Sequence, residues 1–368
     1  MRALRACVFG CAAIALGTPA SFAAVMTVST FPAGALPEDI VTVPAGFDSL
    51  GGDYLVTNPS QNFTGRGVVN SVPAAGGPPS VFATVNPVLP IGGIFLPASY
   101  GALAGQFLIA GRSGGAAGPG VVIALSSTAT QTPIAQNLAG VQFADVAIAP
   151  AGFDSAGGQV LLANEGFATA PTVDTLSTGL ILSTLPGATF PSGTEPFGLA
   201  FAPSGFGSLA GDLLISDSNS DAIYALNPSG TLSRFTTVPF GAGQLGLRQM
   251  AFAPAGFGAY GGDLLVSVSG SNAGGGIAGS VDILNDAGQV IAFLAEGTVG
   301  MPYDPRGLYF PDSTDVLIAD ADPSILSAQS SDFTPGSPAA APEPASLLLL
   351  GSGLAGLGLA RRRKREAA

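Results

Sequence analysis

Val43-Pro44-Ala45-Gly46-Phe47-Asp48-Ser49-Leu50-Gly51-Gly52-Asp53-Tyr54-Leu55-Val56 reads as a tight turn with an aromatic plug, a glycine-marked bend and a short apolar run. It recurs. Leu96-Pro97-Ala98-Ser99-Tyr100 leads to Ile109, Ala149-Pro150-Ala151-Gly152-Phe153 to Leu162, Ala202-Pro203-Ser204-Gly205-Phe206 to Ile215, and Ala253-Pro254-Ala255-Gly256-Phe257 to Val266. A sixth, shortened copy spans Tyr309 to Ile318. The repeat prolines at 44, 97, 150, 203, 254 and 311 are separated by steps of 53, 53, 53, 51 and 57 residues. A period of this size marks one supersecondary unit used repeatedly, because each copy needs its neighbours to cover its apolar face.

Within the fourth unit, Phe197 to Phe201 predicts a strand and Pro203 to Gly211 a connecting loop with Phe206 as plug. Asp212 to Ser216 and Ala222 to Leu226 predict the next strands, Asn227-Pro228-Ser229-Gly230 a turn, and Thr231 to Val238 an outer strand. Four short strands in about fifty residues is the arithmetic of a propeller blade. The expected fold is therefore all-β, a six-bladed β-propeller over residues 24–326. A linear solenoid of the same units is the architectural alternative. Closure decides between them. The sixth unit shows no fourth strand, whereas Val25-Met26-Thr27-Val28-Ser29-Thr30-Phe31-Pro32 resembles the outer strand Arg234 to Pro239. An N-terminal strand paired onto the last blade would lock the ring and protect its edges. Residues 327–341, rich in Ser, Ala, Asp and Pro, are expected to be a flexible linker.

Composition narrows the chemistry. The 368 residues include 53 Gly and 30 Pro, charged side chains make up 10%, and His and Trp are absent. Without imidazole there can be no Ser-His-Asp triad, Cys-His pair or His-ligated metal. The two cysteines, Cys7 and Cys11, both lie in a segment expected to be removed, which leaves no thiol chemistry. Between residues 24 and 340 only Arg66, Arg112, Arg234, Arg248 and Arg306 stand against 22 acidic side chains, a formal charge of −17. Such a body repels phosphate backbones, so nucleic acid is not an expected partner, while divalent cations or basic partners are attracted.

Both ends read as addresses. Arg2 and Arg5 precede an apolar run to about Gly17, and Ala20-Ser21-Phe22-Ala23 is small where signal peptidase reads. Residues 1–23 are expected to be a signal peptide cleaved after Ala23. Val8-Phe9-Gly10 before Cys11 puts a bulky ring where a lipobox has a small residue. At the other end Pro342-Glu343-Pro344 is followed by sixteen uncharged residues, 345–360, and then by Arg361-Arg362-Arg363-Lys364-Arg365. Sixteen helical residues reach about 24 Å against a hydrocarbon core of about 30 Å, so the transmembrane segment is short and its basic end acts as a cytoplasmic stop. This order of features resembles the PEP-CTERM sorting signal, over residues 342–368. The resemblance implies recognition by an exosortase of a Gram-negative bacterium and transient insertion in the inner membrane. It also implies release to the cell surface or extracellular matrix, with exopolysaccharide or a surface protein as partner. An ordinary C-terminal anchor is the alternative. Both place the body outside the cytoplasm.

Gly211 to Gly230 resembles an NHL-type repeat, a blade sequence of six-bladed propellers. Only Asp217 and Asp320 keep its aspartate after the second strand, and the spacing aligns Asn58, Gly111, Asn164 and Val268 with them. Loops entering the innermost strands and leaving the second strands should crowd one mouth of the channel. They carry Glu38, Asp39, Asp145, Glu195, Asp304, Arg248 and Arg306, with Asn58, Asn164, Glu165, Asp217 and Asp320. Glu38, Asp145, Glu195, Asn164, Asp217 and Asp320 are the candidate ligands for Ca²⁺, which takes oxygen donors and needs no histidine. Gluconolactonase-like propellers use such ligands, so a metal-dependent lactonase is the enzymatic expectation beside a non-catalytic binding or structural module. Asp217-Ser218-Asn219-Ser220-Asp221 starts like a calcium loop. Its sixth position is Ala222 and its twelfth Pro228, so a backbone-bonding turn is expected instead.

Overall fold

A computed structural model describes residues 25–59, 66–115, 117–239, 244–270, 278–295, 304–322 and 324–336. The expected cleavage site at Ala23, the motif Pro342-Glu343-Pro344, the span 345–360 and the basic end 361–365 lie outside them. Among the described residues no helix is long and apolar enough to cross a membrane.

Six antiparallel sheets follow one another along the chain. Blade four, for example, comprises Pro196–Phe201, Leu213–Asp217, Ala222–Leu226 and Leu232–Thr237, paired in that order. Each innermost strand packs against the next, and Pro305–Tyr309 of blade six packs against Asp39–Thr42 of blade one. The units therefore form a ring and not a line. Closure follows the expected route: Met26–Thr30 pairs antiparallel with Ser324–Gln329 and supplies the outer strand of blade six.

The burial of the strands follows from stacking sheet on sheet. The second strands of blades one, three and four are buried along their whole length, whereas the outer strand Leu232–Thr237 alternates between partly buried and exposed. The plugs Phe47, Phe153, Phe206 and Phe257 are buried between blades, Phe206 edge-on against Phe252 at 4.9 Å and Phe153 against Phe201 at the same distance. Burying each such ring contributes about 1.5–3 kcal/mol. Each plug amide donates to the repeat proline's carbonyl three residues earlier, as in Phe206 N to Pro203 O at 2.9 Å. The next residue turns left-handed, with φ of 52° at Asp48, 56° at Gly101, 40° at Asp154, 49° at Gly207 and 51° at Gly258. Only Gly, Asn and Asp enter that region readily, which explains why the repeat accepts Asp or Gly there and nothing bulkier.

The expected boundary at residue 326 is too early. The strand Ser324–Gln329 runs on into a 3₁₀ turn, Ser330–Asp332, and Thr334–Pro335 adds a fifth strand to blade five beside Val290–Ala295. Phe333 is the cause. It is buried in the cluster that holds Val25, Phe257 and Leu326, while Asp332 and Gln329 cap the turn reciprocally. At least residues 327–336 thus belong to the propeller and not to a linker.

Candidate functional site

Matching positions of the six innermost strands carry Asp39, Gly92, Asp145, Gly198, Gln249 and Gly307, so a polar side chain alternates with none. Each side chain reaches into the following blade. Asp39 Oδ2 accepts Gly93 N at 2.8 Å, Asp145 Oδ2 accepts Leu199 N at 2.8 Å, and Gln249 Oε1 accepts Leu308 N at 3.1 Å. Asp39 and Asp145 also cap the amides of Ile40 and Val146 at 2.8 Å, and Gln249 Nε2 donates to Asp145 Oδ1 at 3.3 Å. The glycines are dictated by contact: a Cβ at Gly92 would lie 2.8 Å from Asp145 Cα, and one at Gly198 would lie 2.8 Å from Gln249 Cα. Burial pushes Asp39 up to about 6 and Asp145 well above the carboxylate range, with the charge of Asp39 adding to the latter.

One end of the channel opens into a cavity of about 440 Å³ that receives residues from all six blades. Some come from the segments entering the innermost strands and leaving the second ones, whereas Ile91, Phe197, Arg248 and Arg306 lie on innermost strands and Arg112 on a second strand. Three of the body's five arginines meet there. Arg306 pairs with Glu38 and, through Nη2 at 3.0 Å, with Asp304. Burial opposes its charge, but the two carboxylates more than offset this and hold its pKa above the ordinary arginine value. Arg112 bonds Gln142 Oε1 at 2.9 Å and lies 3.6 Å from Glu165, whose pKa burial raises against the pull of Arg112 and Arg248. Arg248 lies 4.6 Å over the ring of Phe197, and no carboxylate comes within ion-pair distance of it among the described residues. Its buried Nε has no hydrogen-bond partner, and burial, then Arg306, depress its pKa. Glu195 is exposed at the cavity and receives a bond from Ser218 Oγ at 3.2 Å. Phe167 stands at the rim, 63% exposed.

Of the six candidate cation ligands, Glu38 and Glu195 line this cavity, and the other four do not. Asp145 belongs to the ring of inter-blade acceptors. Asn164, Asp217 and Asp320 act as clamps at the ends of second strands. Their Oδ1 atoms accept the amides of Gln142 at 3.4 Å, Glu195 at 2.9 Å and Asp304 at 2.8 Å. The same atoms accept the amides of Gly166, Asn219 and Asp322 two residues onward. Asn58 does the same for Leu36 at 2.8 Å. Asp217 to Asp221 is the backbone-bonding turn expected, with Ser220 Oγ on Asp217 Oδ2 at 2.6 Å. Among the described residues no group of three or more acidic side chains is placed to hold a metal, and of the three glutamates that line the cavity Glu38 pairs with Arg306 and Glu165 with Arg112. Among the described residues, the six candidate ligands are not gathered into one Ca²⁺ site.

Arg112, Gln142, Phe167, Phe197 and Gln249 escaped the sequence reading. Arg112 lies one residue beyond Gly111, the position the repeat spacing aligns with Asn164. The scarcity of arginine was the available signal, since each of the five could have been tested for convergence.

Residues 340–364 match the PEP-CTERM protein-sorting motif, so the chain carries that motif at its C-terminus on a six-bladed β-propeller. No curated protein matches the chain. An auxiliary nutrient binding protein from Bacteroides thetaiotaomicron is similar in structure, with a TM-score of 0.55 at 13% identity, covering 83% of this chain and 70% of that one. Another from Bacteroides ovatus gives 0.54 at 10% identity, covering 85% and 76%. A putative 6-phosphogluconolactonase from Bacteroides fragilis gives 0.52 at 13% identity, covering 87% and 95%. At these identities the likeness is one of fold.

Proposed function

We propose that this is an exported, exosortase-sorted surface protein whose propeller is a non-catalytic binding module, with the six-blade cavity as its ligand seat. The observation that carries it is the pairing of a sorting motif with a self-closing ring whose mouth is built of paired charges and an exposed aromatic. Glu38 and Glu165 face arginines, and Asn58, Asn164, Asp217 and Asp320 are committed to backbone amides. A metal-dependent lactonase would need those same oxygens free to converge. A cavity of about 440 Å³ falls within the range of small-ligand pockets, about 300–1,000 Å³.

The test is fractionation of the full chain expressed in an exosortase-bearing Gram-negative host. The wild-type protein should reach the surface or matrix fraction, and a variant with Pro342, Glu343 and Pro344 all replaced by Ala should stay in the inner membrane. Calorimetric titration with Ca²⁺ separates the two site readings: tight binding at the mouth would favour the lactonase.

A further inference from the structure

We infer that the mouth binds an acidic polysaccharide, with the carboxylate of a uronate unit on Arg248; this rests on the binding-module reading above and names its ligand. Arg306 and Arg112 already have partners, Glu38 and Asp304 for one, Glu165 and Gln142 for the other. Arg248 differs. It is a desolvated guanidinium laid against Phe197, and among the described residues no carboxylate stands within ion-pair distance of it and no acceptor meets its buried Nε. A stacked guanidinium presents its donor edge in a fixed plane, and a carboxylate fits that fork with two parallel bonds. The net charge of the body disfavours anions at long range, so the site selects by contact and not by steering.

The rest of the cavity suits a sugar. Glu195 is an exposed acceptor for hydroxyl groups, and Phe167 offers an apolar face to the C–H side of a pyranose ring. The site also continues. A second cavity of about 560 Å³ shares Glu165, Phe167 and Glu195 with the first and runs on past Thr169, Phe190 and Ser192 between blades three and four. A groove leading out of the mouth accommodates neighbouring units of a chain, which an isolated acid would leave empty.

The experiment is calorimetric titration of the full chain, purified in mild detergent, with galacturonate and glucuronate oligomers. Each oligomer is paired with its carboxyl-reduced neutral form. We expect the acidic form to bind at least tenfold more tightly. Arg248→Ala should abolish that preference, bringing the acidic form's affinity down to that of the neutral form. Arg248→Lys should keep a fraction of it, because charge remains without the fork. Phe167→Ala should weaken both forms alike. Circular dichroism on each variant verifies the fold. Equal affinity of acidic and neutral forms, or a preference that survives Arg248→Ala, overturns the uronate assignment and leaves the binding module standing. No binding of any oligomer likewise overturns the uronate assignment.

Discussion

The ring of inter-blade acceptors and the cavity at the mouth use similar acid and amide side chains for opposite ends. In the ring, each of Asp39, Asp145 and Gln249 meets a backbone amide of the next blade, so the polar groups are consumed in holding blades together. At the mouth, Arg248 and Glu195 face a cavity and keep bonding capacity in reserve. Residue type therefore does not separate structural from functional acids. What separates them is whether an amide from a neighbouring strand points at the carboxylate.

The sharpest way to break this comparison is Asp145→Ala. It strands the amides of Val146 and Leu199 in a buried setting and takes a partner from Gln249, and each buried unsatisfied group costs about 1–3 kcal/mol. A loss of about 3 kcal/mol is expected, read as a lower urea midpoint with unchanged slope. An unchanged midpoint would mean that blade stacking alone holds the ring.

Proton linkage sharpens the contrast at smaller amplitude. Asp39 is raised to about 6 by burial, so between its unfolded value of about 3.9 and 6 the native state holds more protons than the unfolded chain. The sign follows: the stability this protonation contributes is full below about 3.9 and is lost as pH rises through 6. Urea midpoints should fall from pH 4 to pH 6.5, and Asp39→Asn should make that fall shallower. A steeper fall in the variant would reverse the assignment.

Much of the fold was legible because its signal is local. A Pro-to-plug hydrogen bond and a left-handed residue after the plug are decided within five positions, so the repeat advertises itself in five full copies and a shortened sixth. The closing strand was legible for a related reason, since Val25 to Pro32 looks like an outer strand with no neighbour. The ring was hidden because it is a relation between blades: Asp39 and Asp145 stood out as acids, but Gln249 and the glycines at 92, 198 and 307 mean something only when all six copies are aligned. Phe333 was missed because one buried aromatic was outvoted by the Ser, Ala and Pro around it, although a single ring suffices to dock a strand. The mouth was half-read. Its loops were placed by the repeat, yet the roles of its carboxylates depend on distances that no spacing encodes.

The clamps lie between the two regions, and Asp217→Ala should cost an intermediate amount. Its carboxylate holds the amides of Glu195 and Asn219 and the Ser220 hydroxyl, so its removal frees one loop of the mouth and leaves the ring intact. About 1–2 kcal/mol is expected, because these groups lie near water and are partly resolvated. Amide hydrogen exchange should accelerate at Glu195 and Asn219 and stay unchanged at Leu199. Faster exchange at Leu199 would show that clamp and ring form one cooperative unit.

Glu195→Gln should have the smallest effect on stability. The side chain is exposed and its sole described bond comes from Ser218 Oγ at 3.2 Å, while its position is set through its backbone amide by Asp217. The substitution keeps the shape and removes a charge that pairs with no arginine among the described residues. Surface changes of this kind stay within about 0.5 kcal/mol. An unfolding midpoint within error of the wild-type protein is therefore expected. A shift as large as that of Asp145→Ala would make Glu195 a structural acid like those of the ring, and the mouth would lose its exposed acceptor.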